Sequence, residues 1–125
     1  MLIYPSLDYT LEHPSISGHG EGYLLEAERI RWYFNHYFAS GEDRRTASPL
    51  HMPVPEGMPA TLVITAGYCP LHDEGVAYAR KLREAGVACE LRDYPDMIHA
   101  YLNLEDLVPQ ACSDTYRAIG AFLSQ

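Results

Sequence analysis

The chain has 125 residues, of which 47% are hydrophobic and 21% charged, and its formal net charge is −8 at pH 7. This length suits one domain and is too short for two. The acidic balance excludes a nucleic-acid partner, because phosphate binding needs clustered Lys and Arg. No apolar run approaches the ~20 residues of a membrane span. The first residues also lack the basic and apolar regions of a signal peptide, so we expect a cytoplasmic protein.

The three cysteines, Cys69, Cys89 and Cys112, include no Cys-x-x-Cys pair. Since three thiols cannot all pair with one another, we expect reduced cysteines rather than a disulfide framework. Cys89 lies in a predicted strand and Cys112 in a predicted helix. At such positions cysteine behaves as a small buried hydrophobic residue.

The first predicted element is a short apolar strand near residues 2–4, ended by a proline. Residues 5–22 are rich in Pro, Ser, Gly and His, which predicts a loop. Residues 25–38 have apolar side chains at helical spacing and predict a helix. Its aromatic residues could form a ligand-binding wall, but their density favours the core. Residues 48–59 hold four prolines and predict an extended, irregular connection.

The second half of the chain predicts two further strands and two further helices. Residues 60–66 form a continuous apolar run typical of a strand buried on both faces. Residues 74–85 have apolar side chains on one helical face, and Gly86 stands where a C-terminal cap belongs. Residues 87–93 alternate between apolar and polar, as a strand does. Residues 108–123 predict the last helix, with Ala111, Tyr116, Ile119, Phe122 and Leu123 facing inward.

This order predicts an α/β fold of about three parallel strands flanked by helices, with right-handed crossovers. In such sheets the chemistry lies in loops that follow the carboxyl ends of the strands. Two loops qualify, residues 67–75 and residues 94–100. An acid in the first loop and His99 in the second would form an oriented general base. From spacing alone, a loop histidine that only satisfies backbone groups is the commoner outcome.

Several segments resemble the hormone-sensitive-lipase-like esterases and lipases of the α/β-hydrolase superfamily. Residues 62–75, with the sequence LVITAGYCPLHDEG, resemble the aspartate loop of that family, and residues 94–101, YPDMIHAY, resemble its histidine loop. Residues 2–8, 47–50 and 83–87 match further family segments in the same order. The resemblance covers essentially the whole chain and places it in the C-terminal portion of such an enzyme.

The resemblance implies a mostly parallel, eight-stranded sheet and a Ser–Asp–His triad that cleaves carboxylic esters. His99 falls on the family's catalytic histidine, which is the general base towards the serine. The family's acid falls on position 69, where this chain has Cys69. A thiol is a weak hydrogen-bond donor and acceptor and is mostly neutral at pH 7. Asp73 is a possible substitute acid, and a helix N-terminal cap is its alternative role.

No Gly-x-Ser-x-Gly nucleophile motif and no His-Gly-Gly oxyanion motif occurs in the sequence. In the family both motifs precede the strand with which this chain begins. We therefore interpret residues 1–125 as a single domain, a partial and truncated α/β-hydrolase without the nucleophile and oxyanion half. Its family substrates are small-molecule esters, and we expect it to be inactive alone towards them.

Other interpretations stay open. The chain could be a non-catalytic module that complements a separate N-terminal half, or that self-associates as a homodimer or larger assembly through the exposed sheet edge. Cys69 could be a nucleophile with His99 as its base, although no oxyanion donors are identifiable. Cys69 and His72 are zinc-ligand types without a second close pair, so we expect no metal and no cofactor.

Overall fold

Three parallel strands form one sheet in residues 1–124, the part of the chain that this computed structural model describes. The strands are β1 (Leu2–Ile3), β2 (Thr61–Tyr68) and β3 (Cys89–Ile98), in the spatial order β1–β2–β3. The helices are α1 (Pro14–Gly18), α2 (Ala27–Tyr37), α3 (Arg44–Ala47), α4 (His72–Glu84) and α5 (Pro109–Leu123), with a 3-10 turn at Tyr101–Leu104. The predicted α/β fold with three parallel strands is confirmed.

The central strand β2 carries the core of the sheet. Its residues from Leu62 to Ile64 and Ala66 have no exposed surface, as predicted for a strand covered on both faces. Helix α4 follows β2 and packs against it closely, because Gly75 has no Cβ to meet the Thr65 methyl group, which would lie 2.7 Å away. The helix ends before Gly86, whose φ of +80° is the left-handed conformation of a C-terminal cap.

Strand β3 is longer than predicted. The alternating pattern ends before Pro95, yet the strand continues through this proline to Ile98, where it pairs with Tyr68 of β2. The register between the two strands shifts between Ala66 and Tyr68. Proline is tolerated in a strand at such an irregularity, because no ladder hydrogen bond needs its missing N–H.

The predicted loop of residues 5–22 contains one helix that the sequence analysis missed. Helix α1 has Pro14 in its first turn, where the missing N–H of proline is not needed, and it buries Ser15 and Ile16. Because the segment is polar, its composition did not indicate this helix of five residues. A second short helix, α3, precedes the extended connection of residues 48–59.

The prediction that the aromatic residues of α2 lie in the core was wrong for most of them. The helix buries Ala27 and Ile30, and Phe34 is half-buried, which is one stripe at helical spacing. Trp32 and Tyr37 lie on the other faces, and their side chains are 56% and 78% exposed. Aromatic residues that surround a helix cannot all meet one core, because packing buries only one face.

Helix α5 shows a similar departure. It buries Cys112 and Thr115, so the prediction of a buried Cys112 is confirmed. Tyr116 and Leu123 were predicted to face inward and are exposed. The buried stripe follows the side of the helix that packs on the 3-10 turn, and two of the five predicted inward positions fall outside it. Among residues 1–124, no helix combines the length and apolarity needed to cross a membrane.

Candidate active site

The ends of β2 and β3 bring two predicted site residues together. Tyr68 and Ile98 are paired at the carboxyl ends of these strands. Cys69 directly follows β2, and His99 directly follows β3. The sulfur of Cys69 lies 3.2 Å from Nδ1 of His99. The loops beyond neighbouring parallel strands therefore meet as predicted, at the edge where α/β sheets carry their chemistry.

The Cys69 side chain is enclosed by protein. It has no exposed surface, and the backbone N–H of Leu71 donates a hydrogen bond to its sulfur over 3.4 Å. Burial raises the pKa of the Cys69 thiol to about 12, because a thiolate would lose its hydration. The group beside His99 is therefore a neutral thiol at physiological pH, not the carboxylate of the family pattern.

His99 lies half-buried between the sheet and the turn that follows it. Its ring packs against the Tyr4 ring, with a centroid distance of 4.8 Å. Burial lowers the pKa of His99, because the cationic ring is poorly solvated there. Ala100 follows in the left-handed conformation, with φ of +62°, and leads into the 3-10 turn whose Tyr101 is fully buried. The imidazole is thus mostly neutral at pH 7 and packs against the Tyr4 ring.

Two of these neighbours have unusual backbone conformations. Tyr4 has φ of +32° and Ala100 has φ of +62°, although neither is glycine. Residues with a side chain adopt positive φ at a cost, and such residues cluster at functional sites. The backbone N–H of Tyr4 donates to the Ile64 carbonyl over 2.7 Å, which fixes the strained residue to the central strand. Both conformations position groups that contact or follow His99.

Asp73 contacts a different part of the molecule. It lies in the first turn of α4, and its carboxylate accepts the Ser15 backbone N–H over 2.9 Å and lies 3.1 Å from Nδ1 of His72. Ser15 also accepts the Asp73 N–H through its hydroxyl, over 3.3 Å. Asp73 therefore caps the start of α1 instead of the helix to which it belongs. Within residues 1–124 the hydrogen-bond partner of His99 is Cys69.

His72, the second predicted zinc-ligand type, lies between two carboxylates. Its Nε2 is 3.2 Å from Oδ1 of Asp93, which is ion-pair distance, although the angle is not that of a hydrogen bond. Asp93 instead accepts the hydroxyl of Thr65 over 2.7 Å. In the described residues no set of three or more His, Cys, Asp or Glu side chains converges as a metal site would require.

A buried carboxylate with two histidines was missed by the sequence analysis. Oδ2 of Asp8 lies 3.1 Å from Nε2 of His13 and 3.0 Å from Nε2 of His51. Oδ1 accepts both the backbone N–H and the hydroxyl of Thr10. The Asp-x-Thr spacing is the signal for such a local turn. The histidines lie 5 and 43 residues away in sequence, so no local pattern indicates them.

A second buried carboxylate lies beside this cluster. Glu74 has no exposed surface, and its Oε1 accepts the backbone N–H groups of Leu7 and Asp8, while Oε2 has no partner in the described residues. Burial raises the pKa of Glu74 to about 7. Glu74 thus fixes the loop after β1 onto helix α4, and this loop leads away from the Tyr4 ring that contacts His99.

The fold and this arrangement of a histidine after one strand and its partner after the neighbouring strand define a class. The family model for the alpha/beta hydrolase fold matches residues 1–103. The chain therefore belongs to the α/β-hydrolase family, and the predicted likeness to its hormone-sensitive-lipase-like esterases is confirmed.

Particular relatives agree with this assignment. The ethyl acetate hydrolase of Pseudomonas putida is 37% identical over 113 residues, which are 89% of this chain and 36% of that protein. The carboxylic ester hydrolase LipN of Mycobacterium tuberculosis is 36% identical, over 96% of this chain and 33% of that protein. A solved α/β-hydrolase enzyme from the metagenome of Lake Arreo superposes with a TM-score of 0.85 at 34% identity, over 98% of this chain and 40% of that one. The chain thus spans about a third of the length of these curated relatives.

Proposed function

We propose that this chain is the C-terminal, histidine-bearing portion of a carboxylic-ester hydrolase. The single observation that carries the proposal is the contact of 3.2 Å between Cys69 and His99 at the ends of two neighbouring strands. His99 takes the general-base position, and Cys69 stands where the family has its acid. The relatives in Pseudomonas putida and Mycobacterium tuberculosis are hydrolases of carboxylic esters, which supports small-molecule esters as the substrate class.

In the proposed reaction His99 accepts the proton of a serine that lies outside this sequence. The serine oxygen attacks the ester carbonyl, and the imidazolium returns the proton to the departing alcohol. The sequence supplies neither the nucleophile motif nor the oxyanion motif. Without these groups no acyl-enzyme can form by this route, so the chain alone is expected to be inactive towards esters.

The test is complementation. The pure chain is assayed on p-nitrophenyl acetate, alone and mixed with the part of the Pseudomonas putida ethyl acetate hydrolase that precedes its matched segment. We expect no activity from the chain alone. The Cys69→Asp variant, when it co-elutes with the added segment, is expected to hydrolyse the ester, and His99→Gln in that variant should abolish the hydrolysis. Activity of the chain alone that His99→Gln removes would contradict its proposed inactivity. A co-eluting mixture of the Cys69→Asp variant that hydrolyses no ester would disprove the proposed function.

A second candidate is a non-catalytic module that acts by association. Strand β1 pairs only with β2 in residues 1–124, so the backbone groups along its other edge have no strand partner there. An unpaired edge is a template for another chain, which favours a homodimer or complementation by a separate half. Light scattering at micromolar concentration tests the homodimer, and a stable monomer would exclude it.

The location that we propose is the cytoplasm. Its support is that Cys69, Cys89 and Cys112 are all free in the structure, since reducing compartments preserve thiols. Cell fractionation followed by alkylation in denaturant is expected to find three modified thiols in the cytoplasmic fraction. Recovery of an exported or disulfide-linked chain would contradict this location.

A further inference from the structure

The direction of the hydrogen bond between Cys69 and His99 depends on the tautomer of His99, and the surroundings of the sulfur favour the thiol as the donor. A neutral thiol has one proton to donate, and its sulfur is a weak acceptor. The Leu71 N–H already donates to this sulfur over 3.4 Å. The thiol proton is therefore the group available to bridge the 3.2 Å to Nδ1 of His99.

We propose that Cys69 is a positioning residue that holds neutral His99 in the tautomer with its proton on Nε2. This deepens the proposed function and rests on it for its catalytic meaning, because Nε2 is the atom that must accept the serine proton. A carboxylate at position 69 has no proton to offer and selects the opposite tautomer, with the proton on Nδ1. The thiol thus reverses the polarity of the acid–histidine bond.

The position of the ring proton decides whether neutral His99 can act as a general base at Nε2. A neutral imidazole carries one ring proton, and while Cys69 donates to Nδ1 that proton stays on Nε2. For Nε2 to accept a serine proton, its own proton must leave and another must arrive at Nδ1. An N–H at Nδ1 would then point at a sulfur that keeps its own proton and already accepts from Leu71. This weak acceptor stabilises the tautomer that the reaction needs less than a carboxylate would.

The protonated state of the ring is disfavoured for the same reason. An imidazolium has N–H donors at both nitrogens, and a neutral thiol cannot compensate its charge. No carboxylate in residues 1–124 hydrogen-bonds the ring, since Asp73, the acid of the neighbouring loop, accepts from Ser15. Burial raises the pKa of Cys69 to about 12, so a thiolate is not formed near neutral pH to replace the carboxylate.

Nitrogen NMR of the 125-residue chain tests the inference directly. With 15N-labelled histidine, protonated and unprotonated ring nitrogens give separate resonances, and His99→Gln identifies the signals of His99 among the six histidines. Above the His99 pKa we expect an unprotonated Nδ1 and a protonated Nε2 in the wild type. Cys69→Ser, whose hydroxyl also donates, keeps this pattern. A wild-type His99 with its proton on Nδ1 overturns the inference.

The variant Cys69→Asp tests the opposite case, in which a carboxylate faces Nδ1 of His99. We expect the two His99 resonances to exchange their character and the His99 pKa to rise by roughly 1 to 3 pH units, since a carboxylate stabilises the cation. A role of Cys69 in packing alone would leave the tautomer the same in both variants, and that result also overturns the inference. If Cys69→Asp does not fold, Cys69→Ala decides: removal of the donor should move the resonance of the unprotonated Nδ1, and an unchanged Nδ1 resonance overturns the inference. The spectra need no activity, so their outcome is separate from the ester assay that tests the proposed function.

Discussion

Gly67 packs directly against the backbone of Pro95. A Cβ at position 67 would lie 2.1 Å from the Pro95 carbonyl oxygen and 2.7 Å from its carbonyl carbon. Around this contact β2 advances two residues, from 66 to 68, while β3 advances four, from 94 to 98. Without these two extra residues of β3, Met97 and not His99 would lie opposite Cys69. The close approach of Gly67 and Pro95 therefore belongs to the irregularity that places the histidine.

Gly67→Ala is expected to destabilise the protein by roughly 1–3 kcal/mol, because the new methyl group meets backbone atoms that cannot move as a flexible side chain can. The strands must separate locally, so the bond between Cys69 and His99 should weaken as well. Urea unfolding followed by circular dichroism measures the loss. Gly120→Ala is the matched control, since nothing lies within 4 Å of its added Cβ in helix α5 and alanine favours helix. Equal stability of both variants would contradict the importance of this contact.

Local sequence patterns determine some elements of this fold, and contacts between distant segments determine others. The apolar run of β2 and the capping Gly86 are local patterns, so their elements were predicted to within a few residues. The position of His99 opposite position 69 followed from family motifs, not from strand lengths. The bulge at Pro95 could not be predicted, because proline normally ends a strand pattern and the register depends on the facing strand.

The buried polar groups show the same division. The turn of Asp8 and Thr10 depends on residues two positions apart, which a local pattern can indicate. The two histidines that contact Asp8 lie in other segments of the chain. The exposure of Trp32 is also not encoded locally, because a helix pattern identifies an apolar face without identifying what covers it. Contacts between separate segments are thus what the sequence left open.

Glu74 is expected to make stability depend on pH. Its folded pKa of about 7 exceeds the ordinary 4.5, so the folded state binds the proton more tightly than the unfolded state. The contribution of Glu74 to stability is then fully present below pH 4.5 and is lost as pH rises through 7, by up to about 3 kcal/mol. Glu74→Gln, which is neutral throughout, should lose this term. Urea unfolding from pH 4.5 to 8 measures the difference in unfolding free energy between wild type and variant, and this difference isolates the contribution of Glu74. A difference that stays constant with pH would show that Glu74 is not protonated in the fold.

Asp8 is expected to have the opposite pH dependence. Burial alone would raise its pKa, but hydrogen bonds from Thr10 and the proximity of His51 outweigh burial and hold the pKa below its ordinary 3.8. Its contribution is therefore present above pH 3.8 and lost as pH falls through the folded pKa. Asp8→Asn should cost roughly 2–3 kcal/mol at pH 7, because an amide cannot accept on both sides. Chemical denaturation measures this, with exposed Asp106→Asn as the control, and equal losses in the two variants would argue against the cluster.

The thiols are expected to react in two classes. Cys69 and Cys112 have no exposed surface, whereas Cys89 is half-buried, which corrects its predicted burial. A pKa of about 12 for Cys69 leaves on the order of one thiol in 10⁵ ionised at pH 7. Ellman's reagent should therefore titrate one thiol in the native chain and three in urea. Cys89→Ser should remove the native reaction. Rapid native labelling of Cys69, found by mass spectrometry, would contradict its enclosure.

Tyr101 and Thr115 join the turn after His99 to helix α5. The Thr115 hydroxyl donates to the Ala111 carbonyl over 2.8 Å, so the buried Tyr101 hydroxyl must be the donor towards Thr115. Thr115→Val leaves that hydroxyl without an acceptor and should cost roughly 1–3 kcal/mol, while Thr115→Ser, which keeps the oxygen, should cost less. In a double-mutant cycle with Tyr101→Phe, measured by urea unfolding, the combined loss should fall short of the sum by about 1 kcal/mol. Strictly additive losses would mean that the hydrogen bond contributes nothing to the attachment of α5.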